Sequence, residues 1–216
     1  MGDSSCLSND QRRALGRLSQ LPVVARFYLA GGSALGVHLG HRRSADLDFF
    51  SLGAEADFDA LKAAVAGCFD RVEVRAETDA ALRLLCDGLP IDFVRYPYPL
   101  LDAAGAAFGV GLAGLRDLAA MKLSAIARRG LRRDFWDLFE IIRSGLTLRA
   151  CGEAYVERFG VKEADLYHVL RALTYFEDAE KDPVFPPGLD EPRWRAIKDL
   201  FREQAPQLVR PVRDGP

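Results

Sequence analysis

The segment that most constrains the fold spans residues 27–51, where an apolar run leads into Gly31-Gly32-Ser33 and a second apolar run surrounds Asp46-Leu47-Asp48. This order is typical of a strand, a glycine turn, a short helix and a second strand. Because side chains alternate between the two faces of a strand, Asp46 and Asp48 leave the second strand on the same side. Two carboxylates at this spacing repel each other unless a cation lies between them, and a divalent metal is the simplest such cation.

A third acidic residue is predicted on a neighbouring strand. Asp87-Gly88 is a strong hairpin turn between the runs 81–86 and 89–95, so the strand that carries Asp92 should pair with the strand before it. Asp92 lies between two apolar residues, as an acid on a buried strand would. Three carboxylates on one side of adjacent strands would hold one or two Mg²⁺ ions. The alternative is a solvent-facing strand with ordinary charges.

The glycine turn is a candidate phosphate site. Gly31, Gly32 and Ser33 precede a helical pattern, so backbone N–H groups, a hydroxyl and a helix N-terminus meet where a phosphate can bind. A tight turn without a ligand is the alternative. The pattern is neither a Rossmann fingerprint nor a P-loop, because Ser33 stands at the second glycine position and no GK[ST] follows. His38 and His41 have the spacing of a zinc pair but no third ligand nearby, so we expect one surface and one packed histidine.

Composition limits the class of protein. Half of the 216 residues are apolar, and 29 Lys and Arg against 31 Asp and Glu give a net charge of -2, which leaves room only for a local basic patch. The cysteines are widely spaced and predict neither a disulfide framework nor a zinc knuckle. They are Cys6, Cys68, Cys86 and Cys151. The chain begins without an apolar signal region and has no membrane-length apolar run, so we predict a soluble cytoplasmic protein.

The hydrophobic period changes near Gly114. Before it, strands and helices alternate; after it, the spacing is helical, with patterns over 115–129, 132–144, 148–159, 163–178 and 193–203. The Gly/Ala-rich residues 103–114 are predicted to be a loop or hinge. We therefore predict an α+β domain over 1–102 and a helical domain over 103–216 that completes an active-site cleft.

At this point the sequence resembles a known family. GGS, twelve intervening residues, DLD and a later strand aspartate are similar to the nucleotidyltransferase signature of the DNA polymerase β superfamily. The stretch LAAMKLSAIARRGLRRDFWDLFEII resembles the second conserved block of the AbiEii/AbiGii-type toxin nucleotidyltransferases. Together the matches span residues 27–142.

The resemblance implies a polymerase-β-like mixed sheet with flanking helices, followed by a helical bundle. It implies metal-binding acids at Asp46, Asp48 and Asp92, and a lysine and an aspartate needed for activity at Lys122 and Asp134. It also implies Mg²⁺ or Mn²⁺, an NTP as substrate, an RNA acceptor such as a tRNA 3′ end, and a cognate antitoxin protein.

The residues of the second block can also be interpreted without the family resemblance. Lys122 interrupts an apolar helix face and could neutralise triphosphate charge, while Asp134 could position that lysine or accept a proton; these roles stay open. Solvated or helix-capping side chains are the alternatives. Two basic groups could form a local groove for nucleotide phosphates or an RNA end, with a solvated helix terminus as the alternative. They are Arg42 and Arg43, and Arg128, Arg129, Arg132 and Arg133.

Two further functions remain compatible with these residues. The acceptor could instead be a small molecule or a protein hydroxyl. The chain could also be an inactive nucleotide-binding or partner-binding module, although intact GGS, DLD, Lys122 and Asp134 argue against that.

Overall fold

The computed structural model describes residues 6–53, 56–162, 164, 166–181, 183 and 185–209. The chain divides into two compact units, Met1–Leu118 and Ala119–Pro216. Among the described residues, no helix is both long enough and apolar enough to cross a membrane.

The first unit is built on a mixed sheet. Its strands are β1 (Phe27–Ala30), β2 (Leu47–Ser51), β3 (Val72–Glu77), β4 (Ala81–Cys86), β5 (Leu89–Val94), β6 (Gly105–Ala107) and β7 (Val110–Leu112). Within the described residues these seven strands lie in the order β3-β4-β5-β2-β1-β7-β6. β2 is antiparallel to β1 and parallel to β5, and β7 is parallel to β1. The predicted α+β class is confirmed.

The register of the central strands brings two of the predicted acids together. Asp48 on β2 pairs with Ala30 on β1 and with Asp92 on β5. Along β2, Leu47 and Phe49 are buried while Asp48 is half-buried. The alternation predicted from the sequence is therefore present within β2, with apolar side chains in the core and Asp48 on the opposite face. Asp46, which is predicted on the same strand, lies just before it.

The prediction of a loop or hinge over residues 103–114 is wrong. Most of this stretch forms the antiparallel hairpin β6–β7, which extends the sheet beyond β1. A Cβ on Gly111 would lie 3.4 Å from the Phe27 carbonyl oxygen and 3.4 Å from the Tyr28 Cβ. These are ordinary van der Waals distances. The structure requires glycine instead at the turn, where Phe108 and Gly109 both have positive φ and a Cβ on Gly109 would lie 2.7 Å from the Ser19 Cβ.

Three helices pack in the first unit. They are α1 (Asn9–Leu18), α2 (Gly31–Leu39) and α3 (Phe58–Ala66). Ser8 and Gln11 form a capping box at the start of α1, and Asp57 caps α3 through the Ala60 N–H. The predicted hairpin turn is present, since Asp87 and Gly88 both have positive φ between β4 and β5.

Helices make up the rest of the chain. They are α4 (Leu115–Arg128), α5 (Arg132–Arg143), α6 (Leu148–Phe159), α7 (Leu166–Leu173), α8 (Glu177–Glu180) and α9 (Glu191–Gln204), followed by a 3₁₀ turn (Ala205–Val209). The single helix predicted over 163–178 is interrupted after Leu173, and residue 163 lies outside the described residues. The interruption accompanies burial of Phe176, whose ring centroid lies 5.2 Å from that of Phe135 and 5.8 Å from that of Trp194.

Candidate active site

The glycine turn fits closely against the second acid of the DLD motif. Gly31 opens α2 with φ +64°, and a Cβ placed on it would lie 2.1 Å from Asp48 Oδ2. A side chain at position 31 would therefore occupy the space of the carboxylate as well as strain the backbone. Only glycine at position 31 lets the backbone lie this close to the Asp48 carboxylate.

Gly32 and Ser33 lie against the segment that leads into β2. A Cβ on Gly32 would lie 2.7 Å from both Arg42 Nη2 and Ser44 Oγ. Ser33 is buried, and its hydroxyl donates a short hydrogen bond to the Asp46 carbonyl oxygen. The single hydroxyl proton of Ser33 is already donated to this carbonyl oxygen. Binding of a phosphate by Ser33 stays a prediction.

Gln11 and Ser44 support Asp46, and sequence analysis selected neither. Gln11 Nε2 donates to the carbonyl oxygens of Ser44 at 2.9 Å and Asp46 at 3.2 Å. Ser44 Oγ donates to Asp46 Oδ1 at 2.6 Å. Gln11 is only 2% exposed although it lies on a surface helix, and a polar residue on a buried helix face was the available clue.

Negative charge accumulates on this face of the sheet. We call Asp46, Asp48 and Asp92 the acidic cluster. Burial raises the pKa of Asp92 above its usual range, and the Asp46 carboxylate raises it further. Arg83 opposes both effects, with its Nε 3.4 Å from Asp92 Oδ2. The Asp92 carboxyl is therefore in a place that disfavours its charge.

These residues fit a divalent cation by their chemistry. Carboxylate oxygens are the ligands that Mg²⁺ and Mn²⁺ prefer, and a cation would relieve the repulsion that raises the pKa of Asp92. Among the described residues, no three Asp, Glu, His or Cys side chains are already arranged as a metal cage. Adjustment of these side chains would therefore have to accompany metal binding.

The second block forms a buried group of charges in the second unit. Lys122 on α4 has 8% of its side chain exposed, and its Nζ lies 2.7 Å from Asp137 Oδ2 and 3.2 Å from Asp134 Oδ1. Both aspartates, on α5, are fully buried. We call Lys122, Arg129, Asp134 and Asp137 the buried tetrad. The alternative of a solvated lysine is wrong, because Lys122 is buried and doubly paired.

Arg129 completes the tetrad. Its Nε donates to Asp134 Oδ2 at 2.8 Å and its Nη2 donates to Asp134 Oδ1 at 3.0 Å, while half of the arginine side chain stays exposed. Burial raises the pKa of Asp134, but hydrogen bonds from Arg129 and the charge of Lys122 outweigh burial, so the pKa lies below its usual range. Asp134 is therefore held as a carboxylate.

The predicted basic groups are only partly exposed. Arg132 is buried, with its guanidinium 4.2 Å from the Phe185 ring centroid, and Arg129 is paired with Asp134. Arg43, Arg128 and Arg133 are exposed. Burial of Arg132 and the pairing of Arg129 leave Arg43, Arg128 and Arg133 as the exposed candidates for contact with phosphate, and a groove shared by the two basic groups stays a prediction.

The histidine pair has a packing role in part. His38 Nε2 lies 2.8 Å from the Ala113 carbonyl oxygen, which places this ring against the end of β7. His41 is half-buried.

Comparison with known proteins gives two kinds of similarity. The profile of a family described as "Nucleotidyl transferase AbiEii toxin, Type IV TA system" matches residues 13–85 and 73–214. An uncharacterized protein of Aquifex aeolicus (strain VF5) is 33% identical over 207 residues, covering 94% of this chain and 98% of that protein.

Solved structures share the fold at low sequence identity. The nucleotidyltransferase toxin MenT4 from Mycobacterium tuberculosis H37Rv has a TM-score of 0.62 at 19% identity, over 95% of this chain and 83% of that one. JHP933 from Helicobacter pylori has a TM-score of 0.51 at 17% identity, over 94% of this chain and 97% of that one.

Proposed function

The chain belongs to the AbiEii family of nucleotidyltransferase toxins of type IV toxin–antitoxin systems, and we propose that it moves a nucleoside monophosphate from an NTP to an RNA hydroxyl. Its fold is the polymerase-β-like nucleotidyltransferase fold that the sequence predicted. It is an enzyme of the nucleotidyltransferase class. The divalent cation, the RNA acceptor and the roles of individual residues belong to the proposal.

The observation that carries the proposal is the pairing of Asp48 with Asp92 beside the Gly31 turn. Asp46 lies close enough to raise the pKa of Asp92. Half-buried carboxylates next to a glycine turn suit a substrate that arrives as a metal–triphosphate complex. Mg²⁺ or Mn²⁺ held by the acidic cluster would activate the acceptor hydroxyl and offset charge on the leaving pyrophosphate.

In the proposed reaction the acceptor oxygen attacks the α-phosphorus and the bond from that phosphorus to the bridging oxygen of the β-phosphate breaks. The leaving group is pyrophosphate. Backbone N–H groups at Gly32 and Ser33 orient the phosphates, and Arg43 adds positive charge. The acceptor proton passes to a carboxylate of the acidic cluster.

The second block supplies charge for the same reaction. Lys122 offsets the triphosphate charge through its ammonium, and Asp134 holds that ammonium in position. The exposed Arg128 and Arg133 support an RNA acceptor, such as a tRNA 3′ end, because they could contact its phosphates. The family further implies an antitoxin partner that limits the activity in the cell.

The test is a transfer assay with labelled NTPs, Mg²⁺ and total tRNA. We expect label on RNA with the wild-type chain, and a loss of about a thousandfold or more with Asp48→Ala. Asp199→Ala is the matched control, since Asp199 is an exposed acid with 63% of its side chain accessible. Transfer that persists unchanged in Asp48→Ala would remove this mechanism.

The same assay separates the acceptors. A panel of small molecules and protein substrates, run in parallel with RNA, would reveal a different acceptor if label appears there and not on RNA. Metal-dependent NTP binding by calorimetry, with no transfer to any acceptor, would instead indicate a binding module.

A further inference from the structure

A row of aromatic rings lies on the same face of the sheet as the acidic cluster. Phe50 follows Asp48 by two residues on β2, so the two side chains leave the strand on the same side, about 7 Å apart. The Phe50 ring centroid lies 5.0 Å from that of Tyr96, and the Tyr96 centroid lies 5.0 Å from that of Tyr98. From β1, the Tyr28 ring stacks on Phe50 at 6.1 Å. We call these four aromatic residues the aromatic row.

Exposure increases along the aromatic row. Tyr28 is fully buried, Phe50 and Tyr96 are half-buried, and 38% of Tyr98 is exposed. From Phe50 onward the rings meet edge to face, with interplanar angles of 80° and 66°. The buried end therefore anchors the row in the sheet, while the open end presents aromatic surface to a ligand.

The chain at the open end of the row is stiff. Pro97 and Pro99 each follow one of the two tyrosines, and a proline favours an extended backbone in the residue before it. Proline also fixes its own φ, which lowers the conformational entropy that binding of a ligand would remove. The Tyr96 N–H donates to Ser51 Oγ at 2.9 Å, which ties this segment to the end of β2. The two tyrosine rings are therefore pre-organised.

The strand register gives the direction from the acids to the aromatic row. Ala30 pairs with Asp48 and leads directly into the Gly31 turn, whereas Tyr28 pairs with Phe50. Asp48 therefore lies between the glycine turn and the row along this face of the sheet. In the proposed reaction the pyrophosphate leaves on the side of the glycine turn, and the attacking and leaving oxygens are roughly in line at the phosphorus. The acceptor hydroxyl then approaches from the side of the aromatic row.

We propose that the aromatic row is the stacking surface for the bases at the 3′ end of the acceptor RNA, with Tyr98 as its outermost contact. Bases of single-stranded RNA are open to contact, and they stack on tyrosine and phenylalanine rings whatever their identity. Bound in this way, the RNA presents its terminal hydroxyl to the acidic cluster. The inference rests on the proposed function, because it takes an RNA acceptor and a phosphate at the glycine turn as given.

Kinetics of Tyr98→Leu separate the acceptor from the nucleotide. Leucine keeps an apolar side chain but has no ring, so we expect the KM for RNA to rise about tenfold while kcat and the KM for NTP stay close to the wild type. Tyr98→Phe keeps the ring and should restore the KM for RNA. Tyr175→Leu is the matched control, since Tyr175 is also an exposed tyrosine, with 47% accessible, but follows α7 and is not part of the row. It should leave both KM values unchanged.

Equilibrium binding gives a second readout that needs neither catalysis nor metal. A short single-stranded RNA with a fluorescent 5′ label is titrated with the wild type and with Tyr98→Leu, and anisotropy gives the Kd. The titrations are repeated with the same RNA carrying abasic nucleotides at its 3′ end. We expect loss of the ring to weaken binding of the intact RNA about tenfold and to have little effect on the abasic RNA, because ring and base form one contact. Where Tyr98→Leu melts well below the wild type, Tyr96→Leu takes its place, with the same expected result.

The outcomes distinguish this inference from the proposed function. Transfer to RNA with an unchanged KM for RNA in Tyr98→Leu overturns the inference and leaves the proposed function intact. A rise in the KM for NTP alone also overturns it, and assigns the row to the nucleotide base. If the wild type transfers to no RNA, the proposed function fails and the binding titrations decide: equal weakening for intact and abasic RNA, or no binding of RNA, overturns the inference, whereas weakening confined to the intact RNA supports it.

Discussion

The acidic cluster and the buried tetrad handle charge in opposite ways. In the cluster, half-buried carboxylates share one face of a sheet, and the pKa of Asp92 is raised by burial and by Asp46. In the tetrad, deeper carboxylates meet cations of equal number, and the pKa of Asp134 is lowered despite burial. The first arrangement suits a cation that a ligand supplies, whereas the second pairs its acids with cations of the chain.

This difference separates two kinds of functional residue. A site that binds a metal–nucleotide complex benefits from several carboxylates on one face, because the bound cation then offsets their mutual repulsion. A group that fixes the position of one side chain benefits from internal balance, because it must hold its geometry before the ligand arrives. The comparison predicts that loss of one charge affects stability differently in the two places.

The largest expected effect is in the tetrad. Lys122→Met should lower the free energy of unfolding by about 3–5 kcal/mol, because it leaves Asp137 buried without its nearest cation. Lys62→Met is the matched control: Lys62 also contacts two carboxylates, Asp59 at 2.8 Å and Glu77 at 2.9 Å, but near the surface. Urea unfolding of both variants measures the contrast, and equal losses would show that burial is not what makes the tetrad important.

The acidic cluster could be predicted from the sequence more completely than the buried tetrad. The two-residue period of DLD and the Asp87-Gly88 turn are local patterns, and they led to adjacent acidic strands with Asp48 beside Asp92. The pairing of Lys122 with Asp137 joins two helices, and helical periodicity does not specify which side chains meet across such a contact. Periodicity alone therefore cannot distinguish Asp137 from an ordinary helix acid.

The missed hairpin has a similar cause. Residues 103–114 contain few large apolar side chains, so they look like a loop when taken alone. The segment pairs with β1, where Gly111 and Leu112 lie opposite Tyr28 and Leu29, and the local sequence does not reveal this pairing. Only the neighbouring strand makes this segment a strand.

A smaller effect is expected at the edge of the acidic cluster. Gly31→Ala should cost about 1–3 kcal/mol of stability and most of the transfer activity, because the new Cβ would displace the Asp48 carboxylate as well as strain the backbone. Gly160→Ala is the matched control, since Gly160 has nearly the same φ, +61°, and a Cβ added there would meet open space. Unfolding gives the shared cost of backbone strain, and the transfer assay gives the part specific to Asp48. Equal activity in the two variants would mean that Asp48 tolerates displacement.

The smallest expected effect distinguishes the two regions by the sign of their response to pH. A raised pKa in the folded state means that ionisation of Asp92 opposes folding, so its unfavourable contribution appears as pH rises from about 4 through the folded pKa. Asp134 has a lowered pKa, so its favourable contribution is present above about pH 4 and is lost as pH falls through the folded pKa. We therefore expect Asp92→Asn to raise the melting temperature by about 1–3 °C at pH 7 without Mg²⁺ and to have no effect near pH 3.

Because a bound cation would stabilise the Asp92 carboxylate, Mg²⁺ should raise the melting temperature of the wild type more than that of Asp92→Asn. Melting curves over pH 3 to 8, with and without Mg²⁺, measure both effects; a Mg²⁺ response that is identical in the two proteins would exclude Asp92 from the metal ligands and leave Asp46 and Asp48 as the candidates.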